Sequence, residues 1–178
     1  DFSQVQSDNK VKNLTAFETI YEERRPFFKE GTDLFSKGNL FYSRRIGRTP
    51  ELFYDVPSLL EEGEKIEQNP DKAKLINATK ISGRTDKGLG IGILNAITNT
   101  TYATIKKADG SKRKIVTEPL SNYNILVLDQ QLKNNSKIFI ANTNVLREGS
   151  ARDANVSSTE VSLENKKNTY RLRAGYSM

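Results

Sequence analysis

Carboxylates are crowded into residues 22–33. They are Glu22, Glu23, Glu30 and Asp33. Two carboxyl groups that face each other across a sugar, one of them with a raised pKa, carry out glycoside hydrolysis. Arginines surround these acids, however, and nearby guanidinium groups stabilise the ionised form of a carboxylate. The pattern therefore favours structural ion pairing, with a carboxylate-based enzyme as the alternative.

The same stretch is rich in aromatic residues, including Phe27, Phe28 and Phe41. A charge that lies among apolar groups is tolerated when it is paired and hydrogen-bonded. We therefore expect an internal ion-pair cluster packed beside these rings. Its predicted members are Glu22, Glu23, Arg24, Arg25, Glu30, Arg44, Arg45 and Arg48.

The composition excludes several kinds of active site. The 178 residues include no histidine and no cysteine. Histidine-dependent nucleophiles, thiolate metal sites and disulfide frameworks are therefore ruled out within this sequence. We predict no catalytic residue, no metal site and no cofactor.

Glycines are frequent between residues 83 and 92, which invites comparison with a phosphate-binding loop. A phosphate cradle needs backbone amides that converge at a helix N-terminus. Here the glycines lie in and beside an alternating strand. They are better explained as small residues that leave room inside a curved sheet.

The net charge is +6, from 28 basic and 22 acidic side chains. Such a balance permits binding to nucleic acid or to anionic lipid. The basic residues are interleaved with acids along the chain instead of forming one patch, so no nucleic-acid partner is expected. A basic nucleic-acid-binding domain is kept as a second alternative.

Alternating strands dominate the sequence from residue 74 onward. We predict an antiparallel pair of Lys74 to Arg84 and Leu89 to Lys107, joined by a turn at residues 85–88. In the second strand the isoleucines, Ala103 and Ile105 are expected to share one face. Residues 123–132 and 137–146 are predicted to form another pair, followed by a polar stretch at 147–167. Leu40 to Ile46 also has the pattern of a strand.

The last ten residues alternate most regularly. Tyr170, Leu172, Ala174 and Tyr176 fall on one side, with arginines, glycine and serine on the other. An apolar face with aromatics near its ends, opposite a polar face, is typical of a strand in a membrane barrel. We expect the apolar side to contact outer-membrane lipid.

Several motifs together resemble one known family. They are Asp1-Phe2-Ser3-Gln4-Val5, residues 13–18, residues 22–31, residues 40–48, residues 78–85, residues 90–98 and residues 118–123. In combination and order they resemble a domain of unknown function found in large outer-membrane proteins of the Bacteroidetes. In that family the domain normally follows a module similar to family-nine carbohydrate-binding domains. The resemblance implies architecture and a bacterial outer-membrane location, and it implies no settled activity.

The predicted fold is mostly β, the first part of an antiparallel outer-membrane β-barrel, with residues 1–48 as an extended and partly internal segment. Residues 49–73 are predicted to be a solvated loop and residues 74–178 to be barrel strands of a longer chain. We expect a non-enzymatic role. The barrel would anchor the carbohydrate-binding-like module, or pass or hold a glycan or protein partner of the cell envelope, and the rest of the chain would close it. The main alternative is a soluble or periplasmic carbohydrate-active enzyme or binding module that uses carboxylates.

Overall fold

The computed structural model describes residues 22–178. The predicted entry segment, residues 1–21, lies outside the described residues. Two short helices come first, α1 (Pro26–Lys29) and α2 (Thr32–Phe35), and three 3-10 turns follow at Lys37–Asn39, Ser43–Arg45 and Val56–Leu59. In the described part of the chain, no helix has the length and apolar character needed to cross a membrane.

Nine strands make up most of the remaining structure of residues 22–178. In chain order they are β1 (Lys65–Gln68), β2 (Leu75–Arg84), β3 (Leu89–Thr98), β4 (Thr101–Lys106), β5 (Lys112–Glu118), β6 (Ser121–Gln131), β7 (Lys137–Arg147), β8 (Ala154–Glu164) and β9 (Arg171–Ser177). Six of them form a sheet in the order β2-β3-β6-β7-β8-β9, and a smaller sheet has the order β1-β4-β5. All pairings are antiparallel. The predicted antiparallel β fold is thus confirmed, while the six-stranded sheet is open and not closed into a barrel.

Short turns join three of the hairpins in the larger sheet. The predicted pairing of β2 with β3 is confirmed, and Gly88 adopts a positive φ of 81° in the turn between them. Asn134 and Asn135, both with positive φ, turn the chain from β6 into β7. Asn168 does the same between β8 and β9. Glycine and asparagine are the residues that tolerate this left-handed conformation.

The prediction of one strand from Leu89 to Lys107 is wrong. The chain breaks at residues 99–100, and β3 stays in the larger sheet while β4 enters the smaller one. Asn99 marks the break, since its Oδ1 accepts the N–H of Thr100 at 2.9 Å. Ala103 and Ile105 therefore do not share a face with the isoleucines of β3. They are buried in a second small core against Val56.

The main core lies on one face of the six-stranded sheet. We call this side the inner face, and residues 22–48, which pack on it, the inner segment. Four buried side chains of the inner segment meet seven from the sheet. The segment contributes Phe28, Leu34, Phe35 and Ile46, and the sheet contributes Leu75, Leu94, Ala96, Ile125, Val127, Phe139 and Ala141.

Two glycines of β3 make room for helix α2. A Cβ at Gly90 would lie 2.9 Å from Cδ2 of Leu34, and a Cβ at Gly92 would lie 3.1 Å from Cε1 of Phe35. Both glycines are buried on the inner face. The glycine-rich sequence thus allows close packing of the inner segment on the sheet, in line with the prediction that these residues leave room.

One other local prediction was wrong, and two further stretches hold more regular structure than the sequence indicated. Leu40 to Ile46 is not a strand but contains the 3-10 turn Ser43–Arg45. The polar stretch 147–167 contains the eleven-residue strand β8. Residues 49–73, predicted to be a solvated loop, hold a 3-10 turn and β1, and they bury Val56 and Ala73.

Candidate functional site: the two faces of the larger sheet

Arg25 organises the inner segment. Its side chain is only 2% exposed. The guanidinium donates to both carboxylate oxygens of Glu23, at 2.9 and 2.8 Å. It also donates to the backbone carbonyls of Ile46, at 2.7 Å, and Ser43, at 2.8 Å. The carbon Cζ lies 4.1 Å from the centre of the Phe28 ring, a cation–π distance. One buried cation therefore ties the start of the segment to its end.

The carboxylate of Glu23 is held in its ionised form. Burial raises its pKa, but hydrogen bonds from Arg25 and from the Ser43 hydroxyl outweigh that effect and lower the pKa to about 2. A general acid at neutral pH needs the opposite shift. This geometry suits a structural ion pair and not an acid catalyst.

The other predicted cluster residues take different positions. Arg44 donates from Nε to the carbonyl oxygen of Glu22 at 2.9 Å. Arg48 lies 3.9 Å from a carboxylate oxygen of Glu51 at the surface. Arg24, Glu30 and Arg45 are exposed, and the carbonyls of Glu30 and Arg45 accept bonds from Lys80 and Tyr123. The structure thus brings Glu23 and Arg25 together and spreads the remaining members along the inner segment.

A second buried charge cluster was missed by the sequence analysis. Asp129 of β6 is 1% exposed and accepts from Nζ of Lys37 at 2.5 Å and from Nη2 of Arg84. The residue falls at an inward position of an otherwise apolar alternation after Ile125 and Val127. This inward position was the sequence signal that could have identified Asp129 as a buried charge. Its partners, Lys37 and Arg84, are 92 and 45 residues away in sequence. This cluster fastens the inner segment to the sheet.

The opposite side, which we call the outer face, carries a continuous set of exposed or half-buried apolar side chains. Cross-strand register places them side by side, for example Ile91, Leu128 and Ile140 in one row. Ile140 is 47% exposed and Leu172 is 67% exposed. We call the whole set the outer belt. Its members are Ile81, Ile91, Ile93, Leu126, Leu128, Ile138, Ile140, Val161, Leu163, Leu172, Ala174 and Tyr176.

A row of asparagines borders the outer belt. Its members, the asparagine row, are Asn95, Asn122, Asn124, Asn142, Asn144 and Asn155. Their amides bond to one another across four strands, including Asn95 to Asn124 at 2.8 Å and Asn142 to Asn155 at 2.8 Å. The outer face is therefore apolar toward the short turns and amide-rich toward the other end of the sheet.

The border between belt and asparagine row crosses the strands at an angle. In β6 the change falls between Leu126 and Asn124. In β7 the partner of Leu126 is Asn142, so the border lies two residues nearer the short turn. The β8 partner of Ile140 is Thr159, so the border has moved by two further residues. Across β2, β3 and β6 the border is level, since Thr79, Asn95 and Asn124 are aligned, and at β9 it moves back, since Tyr176 is the partner of Thr159. The border is thus oblique to the strands between β6 and β8.

Near the short turns, the part of the inner face that the inner segment leaves uncovered is polar. Glu160 of β8 lies 3.4 Å from Lys137 and 3.8 Å from Arg173, and Arg171 donates to Glu164 at 2.5 Å. The apolar residues Leu172, Ala174 and Tyr176 project from the opposite side of β9. Tyr170 precedes the strand and is 79% exposed. The two faces of this part of the sheet thus differ sharply in polarity.

Within residues 22–178, no group of three or more acidic side chains lies close enough together to hold a metal ion. No curated protein matches the chain. No solved structure matches it either. One family model, a domain of unknown function named DUF5916, matches residues 1–178. Since that match spans the whole sequence, the chain belongs to the DUF5916 family.

Proposed function

We propose that this chain forms part of the wall of a β-barrel in a bacterial outer membrane. The outer belt contacts lipid, and the inner segment lies in the lumen. Closure requires further strands of the intact protein beside the two open sheet edges, β2 and β9. The observation that carries the proposal is the oblique apolar belt on the face opposite the packed core.

The outer belt is hard to reconcile with a water-exposed surface. Monomeric soluble proteins rarely expose contiguous apolar patches larger than a few hundred Å². A sheet with an apolar core on one face usually presents polar residues on the other. Here both faces carry large aliphatic side chains over several strands. An apolar environment outside the sheet accounts for this.

The slope of the belt agrees with a bilayer. The border is level from β2 to β6 and shifts by two residues at β7 and by two more at β8. Averaged over the four spacings from β2 to β8, strand rise and spacing convert this to about 13 Å along the strands over about 19 Å across them, a slope of about 35°. Strands of outer-membrane barrels tilt by about 35–45°. A flat hydrocarbon layer would therefore meet these strands along such an oblique line.

The inner face and the connections support the same arrangement. Ion pairs line the part of the inner face that the inner segment leaves uncovered, as in a polar lumen. Short turns follow β2, β6 and β8, whereas at the other end of the sheet the connection from β3 to β6 contains the whole β4–β5 hairpin. The loop 148–153 at that end is as short as the turn between β8 and β9. Outer-membrane barrels keep short turns on the periplasmic side. The asparagine row then faces the outer leaflet.

The role we propose is non-enzymatic. The barrel anchors or serves a carbohydrate-binding-like module and takes part in glycan or protein transport or in surface assembly. The ionised state of Glu23 and the ion pairs of Asp129 support this, because both carboxylates are engaged in packing the inner segment. Outer-membrane lipid, the rest of the chain and envelope components are its partners.

Spin labels at Leu172 and Arg171 test the proposal. In the intact protein in its membrane, the label at Leu172 should collide more often with oxygen, which concentrates in lipid. The label at Arg171 should collide more often with a water-soluble nickel complex, because adjacent residues of a strand face opposite sides. A label at Lys133, in a short turn, serves as the aqueous reference. Equal oxygen access at Leu172 and Arg171 would rule out the lipid contact.

A further inference from the structure

A cavity of about 830 Å³ lies at the end of the larger sheet away from the short turns. We call it the loop-end cavity. The base of the β4–β5 hairpin, the end of β7, the loop 148–153 and residues 48–52 enclose it. Small-molecule sites typically measure about 300–1,000 Å³ and combine apolar walls with a few converging polar groups. The volume therefore suits a small ligand.

The apolar wall of the loop-end cavity is open to solvent. Leu52, Tyr102 and Val116 line it, and their exposed fractions are 39%, 41% and 45%. These side chains lie away from the outer belt, on a different sheet and a preceding turn. Bulk hydrocarbon at the belt does not account for them. They offer a surface for an apolar or aromatic body.

Arg147 places a cation at the same cavity. Its Nη1 donates to the carbonyl of Arg152, and its backbone N–H donates to a carboxylate oxygen of Asp153 at 2.7 Å. The loop 148–153 thus holds this guanidinium at the cavity wall.

Two further guanidinium groups line the cavity. The ion pair that Arg48 makes, at 3.9 Å from Glu51, is a long one. Arg152 is exposed on the loop. Arginine presents several donors in a planar fork that matches a carboxylate or phosphate. The cations therefore offer complementary donors for one small anionic group.

The acidic lining residues limit the charge of the ligand. Glu51, Glu148 and Asp153 balance the three arginines in formal charge. A polyanion would meet these carboxylates and be repelled. A ligand with a single anionic group and an otherwise uncharged apolar body satisfies both the arginines and the apolar wall.

We propose that the loop-end cavity binds a small organic anion that carries one carboxylate on an apolar or aromatic body. Arg147 binds the carboxylate, assisted by Arg48 and Arg152. Tyr102, Val116 and Leu52 contact the body. This site does not depend on contact between the outer belt and lipid.

Fluorine NMR of the purified protein with 4-(trifluoromethyl)benzoate tests the proposal. The matched neutral probe is 4-(trifluoromethyl)benzamide, which has the same ring. We expect the benzoate to bind about tenfold more tightly or better, since hydrogen bonds to a charged group are stronger than those to a neutral one. Arg147→Gln should weaken benzoate binding by about the same factor. Arg171→Gln, at the other end of the sheet, should leave binding unchanged.

Because Arg147 also holds the loop through the Arg152 carbonyl, Val116→Trp provides a second variant. Val116 is exposed, so a larger side chain is accommodated at the surface while it fills the cavity. We expect this variant to melt like the original protein and to lose benzoate binding. No benzoate binding by the original protein, equal affinity for both probes, or full binding by Val116→Trp would each overturn the proposal.

Discussion

Replacement of Arg25 by methionine should lower the free energy of unfolding by about 3–5 kcal/mol, the usual cost of removing one member of a buried ion pair. Methionine fills similar space but cannot donate to Glu23, Ser43 or Ile46. It therefore leaves a carboxylate and two carbonyls without their donor. The thermal unfolding midpoint of the intact protein measures the effect.

Arg24→Met is the matched control, because Arg24 is the exposed neighbour of Arg25. Surface substitutions usually change stability by less than about 0.5 kcal/mol. Equal melting of the two variants would contradict the structural role of Arg25.

Acid titration gives a second readout for the same variant. The folded-state pKa of Glu23 lies below its ordinary value of 4.5, at about 2. Its contribution to stability is therefore present above pH 4.5 and is lost as the pH falls through 2. Without Arg25, its hydrogen bonds no longer lower the folded-state pKa of Glu23. The Arg25→Met variant should thus lose less stability between pH 4.5 and 2 than the original protein.

Gly92→Val should displace helix α2 from the sheet. The added Cβ would lie 3.1 Å from Cε1 of Phe35, and the two further methyl groups need space that the ring occupies. Overpacking of a core costs about 1–3 kcal/mol. We expect a loss at the upper end of that range, together with faster tryptic cleavage after Lys29 and Lys37 of the inner segment.

Gly83→Val is the control for this prediction. Gly83 lies on the outer face of the adjacent strand, and a Cβ there meets nothing within 4 Å. Valine favours strands at both positions, so the difference between the variants isolates the contact with Phe35. Equal stability and equal cleavage rates would show that the inner segment does not pack on Gly92.

Strands with strong alternation and clear turn residues could be predicted from the sequence. The β2–β3 hairpin, β6, β7 and β9 all have this pattern. Strand β8 lacks a clear alternation, because serine, threonine and asparagine are spread over its two faces. Its strand structure comes from pairing with β7 and β9 on either side. Long-range pairing overrides weak local preference in such cases.

The candidate site was predictable where its partners are close in sequence. Glu23 and Arg25 are two residues apart, and the aromatic surroundings indicated a buried pair. The turn at Ser43–Arg45 could not be predicted from local sequence, because the guanidinium of the distant Arg25 donates hydrogen bonds to the carbonyls of Ser43 and Ile46. Asp129 and Lys37 are 92 residues apart, so no local pattern indicates their contact.

Depth measurements along one register row test the central claim most directly. Leu126, Asn142 and Ser157 are aligned across β6, β7 and β8. If the oblique belt is the trace of a bilayer, spin labels at these positions should lie at successively shallower depths. The expected span is about 6–7 Å, for strands about 4.8 Å apart that tilt by about 40–45°. Equal depth at all three positions, or equal exposure of all three to water, would contradict the account.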